Sequence, residues 1–390
     1  MSVLIDGPRI VAVAPTADLA SRDGARVVDA GGMTLMPGLI DCHDHMASLP
    51  GSMRDRAAIS PSLAVLMTAE TLKDTVLGGF TAIRDAGGLD QGVKAGVERG
   101  LIPGPRLRIS VNILSQTGGQ NCHIEPAGVD SHFPVLPGVP DAFCDGVPEC
   151  IKRTREMILA GADWIKLCTT GGVSTPIGGP LVQQFSLAEV QAIVDTAHAA
   201  GKPVMCHAYG GGGAQIALDA GVDSIEHGAD LSEAQLEQMV RQGTWLVPTF
   251  AVLTGVVALD TATPGLLPDY VATKARQLLA KQRASFQRAL ALGVKIALGT
   301  DAGGLAHGHN ARELGFMVAA GMTPVQALVA GTSMAARCMG LGEETGRIAA
   351  GLCADLLLVD ADPLADVTSL ENRAHLRLIV KDGVVFKDTV

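Results

Sequence analysis

Two histidines separated by one residue follow an apolar run near the start of the chain. The run covers residues 35–41, and His43 and His45 come directly after it. Alternate residues of a β-strand point to the same face, so both imidazoles would project together from the end of a buried strand. Because neutral imidazole is a favoured zinc ligand, the spacing indicates half of a metal site. A His-x-His pair can equally be two polar residues that end a strand.

A lysine lies inside a second apolar run, where Lys166 follows Trp164 and Ile165. Lysine is almost never fully buried without a partner, and desolvation favours its neutral, nucleophilic amine. Such an amine can capture carbon dioxide as a carbamate, an anionic ligand whose two oxygens can bridge two cations. The alternative is an ordinary lysine whose side chain extends along the surface to solvent.

Three further residues of ligand type end apolar runs. His207 ends residues 204–207, His227 ends residues 224–227, and Asp301 follows residues 296–300. Each has an ordinary alternative, either a hydrogen-bonded core histidine or a capping aspartate. Glu226 precedes His227 and should point the other way in a strand, which predicts a supporting function.

The elements that must position these residues alternate between strand and helix patterns. Helices are predicted at residues 187–200 and 273–292, among others. Eight strand–helix units predict an α/β fold, a (β/α)8 TIM barrel over residues 37–343, with its active site at the C-terminal ends of the strands. Short strands and turns at residues 1–36 and 344–390 predict one small β-sandwich domain formed by both chain termini. The predicted barrel strands cover residues 35–41, 81–85, 106–111, 164–167, 204–207, 224–227, 245–249 and 296–300.

The composition excludes several classes of protein. The 390 residues carry a net charge of −10 and are 47% apolar, which argues against disorder, nucleic-acid binding and anionic membrane surfaces. We find no apolar run of about eighteen residues that could span a membrane. The eight cysteines form no C-x-x-C pair, and the N-terminus lacks a secretion signal, so a cytoplasmic protein with reduced thiols is expected.

The segment at residues 37–45, which reads Pro-Gly-Leu-Ile-Asp-Cys-His-Asp-His, resembles the first metal motif of the amidohydrolase superfamily. The order of the other candidate ligands is similar to that of its binuclear members, and the resemblance covers nearly the whole chain, although relatives usually begin one strand earlier. It implies two divalent cations. Zn²⁺ is the expected ion for a site of nitrogen and oxygen donors, with manganese and cobalt as alternatives. The first cation would be held by His43, His45, Asp301 and carboxylated Lys166, and the second by His207, His227 and the same Lys166.

The resemblance also implies a mechanism in which a hydroxide shared by the two metals attacks an amide carbonyl. Asp301 would act as general acid and base, and Tyr209 would donate to the developing oxyanion. Relatives usually read Thr-Gly-Gly-His after the third strand, but here Thr117-Gly118-Gly119 is followed by Gln120. Either His123 takes the place of that histidine or Gln120 replaces it as a neutral donor.

The segments at residues 171–174 and 310–314 resemble the dipeptidase branch of this superfamily. That branch contains prolidase-like and Xaa-Arg/Lys dipeptidases and N-acyl amino acid hydrolases, including ochratoxin-cleaving enzymes. The resemblance implies a small-molecule substrate with an amide bond to a C-terminal amino acid, and a homo-oligomer, an octamer in relatives. Tyr209 and His123 would contact the substrate, and its carboxylate would be bound by backbone N–H groups or by Arg312, unless Arg312 is a surface residue.

Two other functions stay open at this point. One is a mononuclear deaminase or cyclic-amide hydrolase of the imidazolonepropionase kind, with a single metal and an unmodified Lys166. The other is a metal-free scaffold or binding protein, which typically loses ligands, whereas all six are present here.

Overall fold

The computed structural model describes residues 1–19, 24–49, 51, 53–122, 128–129, 136–175, 178–304 and 306–390. Within those ranges, no helix combines the length and apolar character needed to cross a membrane. The strands are β1 (Ser2–Asp6), β2 (Arg9–Ala14), β3 (Thr34–Pro37), β4 (Leu39–Asp44), β5 (Phe80–Asp85), β6 (Arg106–Ile109), β7 (Ile113–Leu114), β8 (Ile165–Cys168), β9 (Val204–Gly210), β10 (Ser224–Asp230), β11 (Trp245–Val247), β12 (Lys295–Ile296), β13 (Leu356–Val359), β14 (Leu376–Lys381) and β15 (Val384–Asp388).

The helices alternate with the strands through the middle of the chain. They are α1 (Met53–Ala57), α2 (Pro61–Leu77), α3 (Gln91–Glu98), α4 (Val147–Leu159), α5 (Leu187–Ala199), α6 (Gly211–Ala220), α7 (Glu233–Gln242), α8 (Phe250–Ala262), α9 (Asp269–Leu292), α10 (Arg312–Ala319), α11 (Pro324–Ala330) and α12 (Ser333–Cys338).

Parallel strands form the predicted (β/α)8 barrel. Strands β4 to β6 pair in one sheet, and β7 to β12 pair in another in chain order. Strands β6 and β7 share the third barrel position, interrupted at Val111 with φ +67°. The barrel closes where the Cys42 amide donates to the Leu298 carbonyl at 2.9 Å and the Asp301 amide donates to the His43 carbonyl at 2.7 Å.

The first predicted strand, residues 35–41, is wrong in its bounds because the structure divides it in two. Strand β3 pairs with β13 in a separate sheet, and only β4 enters the barrel. Gly38 lies between them, where an added Cβ would be 2.1 Å from Thr81 Oγ1. The predicted eighth strand is also too long, since β12 covers only Lys295–Ile296.

Both ends of the chain contribute to two antiparallel sheets. One has the order β15-β14-β13-β3, and the other is the β1–β2 hairpin, with Ile10 of the hairpin packed against Leu356 and Val380. The β14–β15 hairpin turns at Asp382 and Gly383, both of which have left-handed backbone. The division into a barrel domain and a sandwich domain stays a prediction.

The lower part of the barrel is filled by small and apolar side chains. Ile40, Cys42 and Val247 point inward, and Ala335 and Ala336 of α12 pack against them. This packing closes one end of the barrel, so the open end lies at the carboxyl ends of the strands, where the predicted site belongs.

Candidate active site

A cavity of about 530 Å³ opens at the carboxyl ends of the barrel strands. It is lined by all six side chains that the sequence predicts as metal ligands, His43, His45, Lys166, His207, His227 and Asp301. These residues come from five different barrel positions, on or directly after buried strands. The structure therefore brings together residues that lie up to 258 positions apart in the chain, from His43 to Asp301.

The ligand atoms converge on a small volume. Asp301 Oδ1 lies 3.3 Å from His45 Nε2 and 3.6 Å from His43 Nε2. The ring centroid of His227 lies 5.1 Å from that of His43 and 4.6 Å from that of His207. One ligand atom from each of His43, His227 and Asp301 falls within 4.8 Å of the other two. This spacing and this donor set fit a divalent cation.

Each of the four imidazoles is held through one ring nitrogen, which leaves the other for a ligand. This pattern is typical of metal-binding histidines, whose second nitrogen bonds to a carboxylate, carbonyl or similar group. Nε2 is left in three rings and Nδ1 in the fourth. The bonds join His43 Nδ1 to Glu226 Oε2 at 2.6 Å, His45 Nδ1 to the Gly87 carbonyl at 3.0 Å, His227 Nδ1 to Thr249 Oγ1 at 2.7 Å and His207 Nε2 to the Gly171 carbonyl at 3.1 Å.

A buried ion pair lies behind His43. Arg84 and Glu226 are fully buried, and Arg84 Nη2 donates to Glu226 Oε1 at 2.9 Å. Burial opposes ionisation of Glu226, but the Arg84 charge and the His43 hydrogen bond lower its pKa to about 2. Glu226 therefore orients His43 as an anion. The sequence predicts a supporting function for Glu226 but misses Arg84, whose signal was an arginine directly after Ala82 and Ile83 in a predicted strand.

Lys166 lies on β8 with only 2% of its surface exposed. Its Nζ is buried and has no hydrogen-bond partner among the residues that the structure describes. A buried polar group without a partner is costly. The Lys166 amine therefore lacks a hydrogen-bond partner that would offset the cost of its burial. It lies in a cavity lined by four histidines and an aspartate.

The charges of the ligand residues differ because their surroundings differ. Burial, assisted by the Lys166 charge, lowers the pKa of His43 to about 4 and that of His207 to about 3. Burial acts in the same direction on His45, but its hydrogen bond to Asp301 and the Asp301 charge raise the pKa to about 9. Burial also lowers the pKa of His227. Three of the rings are thus neutral, as a metal ligand must be, while His45 forms an ion pair with Asp301.

The backbone at two ligands is held in an unfavourable conformation. Asp301 has φ +59° and His227 has φ +74°, a region that residues other than glycine rarely adopt. Such backbone costs on the order of 1–3 kcal/mol and is concentrated at functional sites. The barrel maintains it at Asp301 through the hydrogen bond from the Asp301 amide to the His43 carbonyl.

Asn310 supports the first strand from the segment after β12. Its Nδ2 donates to Asp41 Oδ2 at 2.7 Å and to Asp44 Oδ2 at 2.8 Å, and Thr300 donates to the same Asp41 oxygen at 2.6 Å. Burial and the nearby Asp44 raise the pKa of Asp41 to about 7. This network joins the strand that carries His43 to the segment that carries Asp301.

The predicted oxyanion donors are placed as follows. Tyr209 is buried beside the ligands, with its ring centroid 4.8 Å from that of His207, and burial together with the Asp301 charge raises its pKa. The phenol therefore stays protonated. Gln120 also lines the cavity and accepts a hydrogen bond from Thr175, whereas His123 lies outside the described residues.

Arg312 is not in the active-site cavity, which corrects the prediction that it binds substrate. It lies at the start of α10 with more than half of its side chain exposed, and its Nε is 3.6 Å from Glu371 Oε2. Glu371 follows it by 59 positions, so this pairing had no local signal in the sequence. The surface alternative for Arg312 is the one that the structure favours.

Comparisons with known proteins agree with this geometry. The Amidohydrolase family profile matches residues 34–386. Ochratoxinase from Aspergillus niger is 32% identical over 367 residues, covering 90% of this chain and 75% of that protein. A prolidase complexed with N-methylphosphonate-L-proline superposes with a TM-score of 0.88 at 32% identity, and a Xaa-Pro dipeptidase with methionine bound in its active site superposes with a TM-score of 0.90 at 29% identity. In both comparisons, the matched region covers 99% of this chain and 94% of the other chain. The chain belongs to the amidohydrolase family and is a hydrolase of amide bonds, of the dipeptidase and ochratoxinase type.

Proposed function

We propose that this protein is a binuclear metal-dependent amidohydrolase that cleaves the amide bond to a C-terminal amino acid, in a dipeptide or an N-acyl amino acid. His43, His45 and Asp301 would hold one divalent cation, and His207 and His227 would hold the other. Lys166, carboxylated by carbon dioxide, would bridge the two. Zinc is the expected metal because the donors are nitrogen and oxygen atoms.

The observation that carries this proposal is the unpartnered Nζ of Lys166. Its burial among candidate ligands is unfavourable for a free amine but suits a carbamate. The negative charge of a carbamate is shared by two oxygens, and each oxygen could bind one cation. A mononuclear site would not use Lys166 in this way. The position of the amine therefore favours two metals over one.

The chain's own residues provide the remaining chemistry. When bound, two divalent cations supply Lewis acidity and lower the pKa of water. Asp301 is anionic, because its contacts with His45 and His43 outweigh burial and lower its pKa to about 2. It would accept the proton of the attacking water at a carboxylate oxygen and deliver it to the nitrogen of the leaving amine.

Two donors would stabilise the oxygen that becomes negative in the transition state. Tyr209 remains a phenol because its pKa is raised by burial, so it can donate a hydrogen bond throughout the reaction. The second donor would be Gln120 or His123. Gln120 is supported by its place at the cavity, where a Cβ on Gly172 would lie 1.9 Å from its Oε1. Its amide therefore has room only because residue 172 is glycine.

The function is tested by assaying a library of dipeptides and N-acyl amino acids with protein reconstituted with Zn²⁺, and separately with Mn²⁺ and Co²⁺. We expect hydrolysis of acyl or aminoacyl derivatives of free amino acids, and near-complete loss of activity in His207→Ala and His227→Ala. The matched control is His198→Ala, an exposed histidine on α5, which should retain activity. Preferential hydrolysis of cyclic amides or amidines would contradict the proposal and support the mononuclear function instead.

A further inference from the structure

One arginine in the active-site cavity has no ion-pair partner among the residues that the structure describes. Arg56 lies on α1, in the segment that follows the first barrel strand, and its partly buried side chain lines the same cavity as the candidate ligands. Its Nε is buried without a hydrogen-bond acceptor in the described ranges of the chain. None of the mechanistic functions assigned above uses this residue.

The isolation of Arg56 contrasts with the fully buried Arg84 near the site. Arg84 is compensated by Glu226 at 2.9 Å, whereas Arg56 forms no ion pair with any described residue at a comparable distance. A buried guanidinium N–H without an acceptor is unfavourable. In the protein without substrate, the Nε–H of Arg56 is therefore a donor that an anion could accept. Arginine presents its N–H groups as a planar fork that matches the two oxygens of a carboxylate.

We propose that Arg56 binds the free α-carboxylate of the substrate's C-terminal amino acid. This inference rests on the proposed function, and it assigns to Arg56 the anchoring function that Arg312 cannot perform. Among the described residues that line the cavity, the other lysine or arginine is Lys166, which is already assigned to the metals. Arg56 is therefore the cation available to recognise an anionic group of the substrate.

The remaining wall of the cavity indicates what the rest of the substrate must be. The cavity has an apolar wall formed by Val252 and Val256 on α8, Leu267 before α9, and Val271 in the first turn of α9. Burial of apolar groups there is favourable. The substrate class that fits is therefore an acyl or aminoacyl derivative of an amino acid, with a free carboxylate at one end and apolar groups along the wall.

The test compares a free-acid substrate, N-acetyl-L-phenylalanine, with its C-terminal amide, N-acetyl-L-phenylalaninamide. The same comparison is then made for the best free-acid substrate of the library and its amide. In the metal-loaded wild type, we expect kcat/KM to be at least about tenfold higher for the free acid. Arg56→Met should lower kcat/KM for the free acid by about tenfold or more, while the value for the amide should change by less than about threefold. Arg56→Lys should restore part of the preference, since it keeps the charge but loses the fork.

The matched control is Arg54→Met, on the same helix but exposed to solvent. It removes an equal charge from the same segment and should leave the preference for the free acid unchanged. Metal content and thermal stability should be equal in all variants, which separates anchoring from folding or loss of metal.

Two results would overturn the assignment of Arg56. One is an equal loss for acid and amide in Arg56→Met, and the other is an unchanged preference. Absence of turnover for every acyl compound in the metal-loaded wild type would instead refute the proposed function. In that case, calorimetric titration with N-acetyl-L-phenylalanine still tests the assignment of Arg56. Binding that is at least about tenfold weaker in Arg56→Met than in the wild type would support the assignment. Equal binding by the two proteins, or no binding by the wild type, would contradict it.

Discussion

The orientation of His43 depends on a carboxylate that never reaches the active-site cavity. Glu226 joins His43 to Arg84 in a fully buried chain of hydrogen bonds. Glu226→Gln should lower metal affinity by about 10–100-fold, the usual effect of removing the partner of a ligating histidine. It should also destabilise the fold by about 3–5 kcal/mol, because Arg84 keeps an uncompensated buried charge.

Metal titration and urea unfolding measure both effects of Glu226→Gln. The control is Glu237→Gln on α7, where an exposed carboxylate lies 3.9 Å from Arg241, and its effect should be below about 1 kcal/mol. Unchanged metal affinity in Glu226→Gln would show that the ring of His43 is positioned by other contacts.

Lys166 is the residue on which the binuclear proposal depends most. Lys166→Ala should lose metal and activity, because alanine provides no oxygen to bridge two cations. Short carboxylic acids added to this variant should restore part of the activity by occupying the space of the carbamate. Lys152→Ala, at an exposed position on α4, is the control that should keep full activity. Full metal content and activity in Lys166→Ala would refute the bridge.

A buried carboxyl group at the start of α8 should make stability depend on pH. Glu313 accepts hydrogen bonds from the amides of Phe250 and Ala251 at 2.8 and 2.7 Å, yet burial raises its pKa to about 8. Since its ordinary pKa is 4.5, the native state binds the proton more tightly than the unfolded state between these values. The contribution of Glu313 to stability is therefore complete below about pH 4.5 and is lost as the pH rises towards 8.

Unfolding by urea at pH 5 and at pH 8, in wild type and Glu313→Gln after metal removal, measures this contribution. The free energy of unfolding of the wild type, relative to the variant, should fall with rising pH by up to about 1.4 kcal/mol per pH unit. A difference between the two proteins that is constant over this range would contradict the raised pKa.

Among the elements, the entry into β4 packs so closely on its neighbour that it leaves no room for a side chain. An alanine Cβ at Gly38 would lie 2.1 Å from Thr81 Oγ1 on the neighbouring strand, so β4 and β5 would have to separate. Gly38→Ala should therefore lower the free energy of unfolding by about 1–3 kcal/mol. Gly179→Ala is the control, because its Cβ would meet Val182 at 3.6 Å, an ordinary contact. Equal stability of the two variants in urea unfolding would show that the barrel tolerates this separation.

The metal ligands could be predicted from the sequence because His207, His227 and Asp301 end or directly follow predicted strands, while Lys166 is a charged residue inside one. The division between β3 and β4 could not, since both pieces are apolar and only the pairing of β3 with β13 separates them. Arg84 and Arg56 were missed for different reasons. Arg84 is compensated by a residue 142 positions away, and Arg56 lies on a five-residue helix that shows no periodic pattern.

The whole molecule is acidic, with a net charge of −10, while its proposed substrate carries a carboxylate. General electrostatic attraction therefore does not favour binding, and the attraction must be local. The proposed metals and Arg56 would supply positive charge inside the cavity. The proposed binuclear function thus depends on how many cations the site holds.

Elemental analysis of active protein, by inductively coupled plasma mass spectrometry after removal of unbound metal, tests this claim most directly. Protein stripped with a chelator should be inactive and should regain activity in proportion to the metal restored. We predict about two divalent ions per chain at full activity, because the six proposed ligands include one carbamate that would be shared between two cations. Full activity with one ion per chain, or with none, would contradict the binuclear account.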